Sequence, residues 1–97
     1  MQPPERLPSE VAAVWSELVA EHGDGAARIV GPEFEAYCGA VARLRDAQRR
    51  IHDEQIIVPD SKNAPVAHPA LAIERQASDD LRRWGDKFKP RPRARTT

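Results

Sequence analysis

The chain has 97 residues, 40% of them hydrophobic and 31% charged, with 15 basic and 15 acidic side chains and a formal net charge of zero. That length allows at most one small domain with a thin core. A single cysteine, Cys38, excludes an intramolecular disulfide and a Cys-rich zinc site. There is no apolar run long enough for a transmembrane helix and no signal-peptide pattern at the start, so an intracellular chain with no membrane partner is expected.

The zero balance hides an asymmetry. Residues 1–35 carry −5, residues 36–81 carry −1 and residues 82–97 carry +6. An acidic front and a basic end point to a polyanion partner at the end, and they permit head-to-tail contact between copies of the chain. Aromatic residues are few: Trp15, Phe34, Tyr37, Trp84 and Phe88. A core this thin favours a homo-oligomer, which buries more apolar surface than one chain can.

Residues 1–8, with three prolines, read as an extended lead-in. Ser9 fits an N-cap. Val11, Val14, Trp15, Leu18 and Val19 then recur at the spacing of one helix face, and Gly23-Asp24-Gly25 stops that helix near His22. Pro32 fits the first position of a second helix, with Glu33 and Glu35 favourable at its N-terminus. Phe34, Tyr37, Val41, Leu44, Gln48, Ile51 and Gln55 follow in steps of three and four, a heptad seam running from Pro32 to about Gln55. Such a helix is roughly 35 Å long and needs a partner along its length, from its own neighbours or from another subunit. Phe34, Tyr37, Val41, Leu44 and Ile51, together with Trp84, are therefore the expected oligomer interface. The opposite face carries Arg43, Arg45, Arg49 and Arg50. Solvated pairs such as Asp46–Arg50 account for this face best, with nucleic-acid contact as the weaker reading.

Ile56, Ile57 and Val58 precede Pro59, and Asp60 to Asn63 have turn chemistry, so a short irregular turn or a β-hairpin precedes the last helix. Pro69 marks the first turn of that helix, and Ile73, Ala77, Leu81, Trp84 and Phe88 form its apolar stripe. Arg82, Arg83 and Lys87 lie mostly off the stripe, where cations also suit the helix C-terminus. Pro90 and Pro92 forbid continuation. Lys89, Arg91, Arg93 and Arg95 then project from a stiff basic tail, residues 89–97, while residues 9–88 form the helical core.

Catalytic chemistry is not assembled. The five glycines form no phosphate loop. His22, His52 and His68 are isolated from one another, and His68 before Pro69 suits a cap or turn better than a metal. His52-Asp53-Glu54 cannot converge, because adjacent helical residues point in different directions. Cys38 beside Tyr37 reads as a core thiol. No nucleophile, base and oxyanion set, no metal site and no cofactor is expected. The positive signal is Arg82, Arg83, Lys87, Lys89, Arg91, Arg93 and Arg95, with Arg43, Arg49 and Arg50 behind them. Cations in this density neutralise phosphates without reading bases, and the tail lacks the interleaved aromatics that stack on single strands. A duplex backbone fits better. Composition alone leaves a solubilising tail equally open.

Several segments together resemble the small terminase subunits of tailed phages, specifically the P27-like family, over about residues 13 to 93. They are Trp15, Phe34-Glu35-Ala36-Tyr37-Cys38, Ile57-Val58, Ala67-His68-Pro69-Ala70-Leu71, Ala72-Ile73-Glu74-Arg75-Gln76-Ala77 and Leu81-Arg82-Arg83-Trp84. Phe88, Pro90 and Arg93 stand where that family has a terminal Gly-Leu-containing segment, although here the chain reads Lys87-Phe88-Lys89-Pro90 without the Gly-Leu. It also lacks a long N-terminal extension. The His68-Pro69 step before a charged helix is the most telling part. The resemblance implies a non-enzymatic packaging factor in the host cytoplasm, a helical protomer that assembles into a ring. Its implied partners are double-stranded viral DNA, the large terminase motor and nuclease, and in some members an HNH endonuclease. A protein–protein adaptor that docks the large terminase or the HNH nuclease through its basic tail, without touching DNA, is the competing expectation. The expected fold is all-α, with a long central helix in an α-hairpin.

Overall fold

Helix-starting prolines and helix-stopping glycines set the architecture. In a computed structural model, which describes residues 1–54, 57–59 and 65–89, the chain is helical, with one small ribbon among the described residues. Helix α1 (Ser9–His22) starts after Pro8, whose backbone is extended at φ −55° and ψ 151°. Ser9 is thus the first helical residue and not the cap. Pro8 holds the cap position without a side-chain bond, and its carbonyl accepts from the Ala12 amide at 2.9 Å. Gly23, at φ 62°, ends α1 in a backbone region that glycine enters without a Cβ penalty. A single 3₁₀ turn, Gly23–Gly25, and one short helix, α2 (Ala26–Ile29), lead to Gly31. Helix α3 (Pro32–Glu54) then runs for 23 residues, a length of about 34 Å. The last residue assigned to its seam, Gln55, lies outside the described residues, as do Ile56 and the turn from Asp60 to Asn63.

Strands β1 (Ile57–Pro59) and β2 (Pro65–Ala67) pair antiparallel, with Val58 opposite Val66. Helix α4 (Ala70–Trp84) follows, and His68 fastens its start. The Nδ1 of His68 accepts from the Ala70 amide at 2.9 Å. Nε2 therefore carries the ring proton, which faces Glu54 Oε1 at 3.4 Å. His68 is only 6% exposed, so it joins the end of α3 to the start of α4 as a buried cap.

Both α1 and α4 pack along α3. On the α1 side the core is Val14, Trp15, Leu18, Phe34, Tyr37, Cys38 and Phe88. Between α3 and α4 the buried residues are small: Ala40 and Ala47 on one helix, Ala70 and Ala77 on the other, each 1% exposed. Small side chains let two helix backbones approach closely. The large seam residues behave differently from one another. Phe34 and Tyr37 are buried, Val41, Leu44 and Ile51 are half-buried, and Gln48 is exposed.

Candidate nucleic-acid interface

The stripe assigned to the last helix does not run straight through Phe88. Helix α4 ends at Trp84, and Gly85 reverses the chain at φ 58° and ψ −126°. Phe88 then turns back into the core, 3% exposed. Its ring lies 5.6 Å from Phe34, 5.3 Å from Tyr37 and 5.4 Å from Trp84, centroid to centroid, all tilted. Trp15 joins through Phe34 at 6.2 Å, so all five aromatics form one cluster. Ile73, at the other end of the assigned stripe, is 41% exposed and does not pack into it.

Two polar contacts hold the same segment. The Nε2–H of His22 donates to the Phe88 carbonyl at 2.7 Å. Lys87 pairs with Glu33 at the start of α3. These fix where the basic tail leaves the domain, beside the end of α1. Lys87 and Lys89 line a depression there with Glu21, His22, Arg28, Ile29 and Asp86. Neither His22 nor Arg28 is marked by any local pattern in the chain.

Each basic residue assigned to DNA that lies among the described residues faces a carboxylate of its own chain. Arg82 meets Asp79 at 3.3 Å, and Lys89 meets Asp86 at 3.2 Å. Arg49 reaches Asp46 at 2.6 Å and Asp53 at 3.8 Å, and Arg50 reaches Asp46 at 3.2 Å. Arg43 and Arg83 share Asp80, at 3.6 and 3.9 Å. Exposed pairs of this kind are weak and salt-screened, so they hold these cations only loosely. They also lower the positive field of the folded surface below what a count of arginines suggests. Arg91, Arg93 and Arg95 lie outside the described residues.

Arg45 differs from its neighbours. Two hydrogen bonds tie it to Glu17 of α1, at 2.6 and 3.2 Å. The Arg45 hydrogen bond and charge hold the Glu17 carboxyl below its ordinary value. Arg45 thus links α1 to α3 across the exposed surface.

The thiol of Cys38 is fully buried, and burial pushes it up from 9.0 to about 12, with Glu35 adding to the rise. Without thiolate character it is no nucleophile. Among the described residues no group of three or more His, Cys, Asp or Glu side chains is placed to hold a metal ion. Asp53 and Glu54 of the 52–54 triplet are turned to Arg49 and to His68 respectively. No helix among the described residues is long and apolar enough to cross a membrane.

The geometry defines a small helical scaffold with a clamped C-terminal segment and basic side chains around its exit. A family model described as "Phage terminase, small subunit" matches residues 12–97, and the chain belongs to that family. Its role is in phage DNA packaging, in a family whose members are generally non-catalytic. No curated protein and no solved structure matches the chain.

Proposed function

We propose that the chain binds double-stranded viral DNA and presents it to the large terminase, the motor and nuclease of packaging, in the cytoplasm of the host. The family match over residues 12–97 carries this reading. It is supported by the clamp of Phe88, His22 and Lys87, which holds the described segment that precedes the basic residues Arg91, Arg93 and Arg95 in the chain. The P27-like subfamily, with an HNH nuclease partner, belongs to the same proposal and rests on the motif resemblance.

The protomer is proposed to work as a homo-oligomeric ring, in which weak phosphate contacts multiply with the number of engaged subunits. Phe34 and Tyr37 are already committed inside one protomer. Val41 and Trp84 also pack partly against that core, while the half-buried Leu44 and Ile51, with the exposed Ile73, are proposed to meet a neighbour. A clean monomer by light scattering at micromolar concentration counts against the ring.

The decisive experiment measures duplex affinity of the full chain against salt, with and without residues 89–97, the melt of the truncated chain serving as the fold check. Loss of four tail cations lowers the salt slope by up to about three to four. Unchanged affinity and slope refute the tail assignment. The adaptor reading has one observation in its favour, since the described cations already pair with carboxylates and so suit an acidic protein surface too. It prevails if the purified chain fails to shift duplex DNA but binds the large terminase in a salt-dependent way.

A further inference from the structure

Most arginines on the helices have one dominant carboxylate partner. Asp80 is different, because two guanidinium groups from two helices converge on it. Arg43 of α3 approaches its Oδ2 at 3.6 Å, and Arg83 of α4 approaches its Oδ1 at 3.9 Å. Neither distance is a hydrogen bond. The hydrogen bond that Asp80 does accept comes from Gln76 Nε2, at 3.0 Å. The contrast with Arg45, bound to Glu17 through two nitrogens, is direct. Among the described residues Arg43 and Arg83 make no side-chain hydrogen bond, and their side chains are 56% and 77% exposed.

These three residues line a depression of about 310 Å³ together with Ala36, Ala40 and Trp84. The alanines make a low floor, and the Trp84 indole forms an apolar wall. Two convergent forks suit a planar or tetrahedral oxyanion, because guanidinium binds phosphate oxygens in pairs. Asp80 holds them about where such an anion would sit, and leaves the group with a net charge of +1.

We propose that Arg43, Arg83 and Trp84 form a backbone phosphate site for duplex DNA, with Asp80 as its internal competitor. The site rests on the DNA-binding reading above and adds a folded contact to the tail. Phosphate displaces Asp80, which remains held by Gln76, and the sugar edge lies against Trp84. Binding is thereby tuned downward in the resting protomer, and an oligomer with many such sites gains avidity without any single site gripping strongly.

The test uses the full chain, a short mixed-sequence duplex and low salt. Asp80→Asn removes a unit charge roughly 6 Å from the phosphate, which in water tightens binding about threefold per protomer. The gain shrinks as salt rises. Glu10→Gln makes the same charge change on α1, and should alter affinity far less. Arg43→Gln and Arg83→Gln each weaken binding, and the duplex changes Trp84 emission, while Trp15, 3% exposed, stays silent. All four substitutions sit on exposed or half-exposed surface, and thermal melts confirm that each variant folds. Equal affinities for the Asp80 and Glu10 variants overturn the site while the DNA reading stands on wild-type binding. Tighter binding without a Trp84 response overturns its location. No duplex binding by either the wild type or the Asp80 variant overturns the site and the DNA reading together.

Discussion

Phe88 lies beyond the end of α4, yet the aromatic cluster is built around it, so Phe88→Ala should damage the whole domain. The ring is 3% exposed and has three aromatic neighbours within 5.6 Å. Truncating a buried Phe to Ala costs about 3–5 kcal/mol, and a domain of this size has only about 5–15 kcal/mol in total. With a urea m-value of about 2 kcal/mol/M, the unfolding midpoint should fall by about 2 M. Phe88→Leu keeps most of the apolar area but loses three tilted ring pairs, so its loss should be intermediate. Equilibrium urea unfolding followed by tryptophan emission measures both, at one fixed protein concentration because assembly adds to apparent stability. A loss below about 1 kcal/mol for the alanine variant would show that the clamp is not part of the core. It would also remove the argument that the tail leaves the domain from a fixed point.

Gly85→Ala tests the reversal that brings Phe88 home. Among the described residues no atom beyond its chain neighbours lies within 4 Å of an added Cβ, so the penalty comes from the φ of 58°, about 1–3 kcal/mol. A neutral substitution in the same urea assay would mean that the turn is not held in this conformation. The alkaline limb of stability tests the buried Cys38. Its folded value stands at about 12 against an ordinary 9.0. The unfolded thiol therefore ionises first, and stability that is complete below 9.0 is lost as pH rises toward 12. Burial raises Tyr37 as well, adding loss of the same sign above its ordinary 10.0. Cys38→Ala should flatten part of this alkaline decline in the urea midpoint. An identical pH profile in the variant would assign the decline to other groups.

Helix boundaries were legible because they are set by local chemistry. Gly23, Pro32 and Pro69 act on their immediate neighbours, and the helical class follows from them with the apolar spacing of α1 and α3, whereas the cap of α1 falls on Pro8 instead of Ser9 and α4 stops at Gly85 instead of running on toward Pro90. The packing between α3 and α4 was not legible in the same way. A seam read by its large residues passes over Ala40, Ala47, Ala70 and Ala77, which matter because they are small. Spacing alone carries the α4 stripe through Gly85 to Phe88, but the positive φ of Gly85 ends the helix. The bond from His22 to the Phe88 carbonyl spans 66 residues, and that between Arg45 and Glu17 spans 28. No local pattern encodes such pairs.

Charge shows the same limit, with a functional consequence. The basic residues are obvious in the chain, and Arg43 and Arg83 stand out by their charge alone. Their common partner is not, because Asp80 lies 37 positions from one and three from the other. A phosphate meeting these arginines encounters a competing carboxylate held in place by Gln76. On the proposed reading, local affinity depends on how readily Asp80 yields as well as on how many cations are present. An acid-to-amide change that tightens binding more at Asp80 than at Glu10 is a prediction that the charge count cannot make, since both changes alter net charge equally.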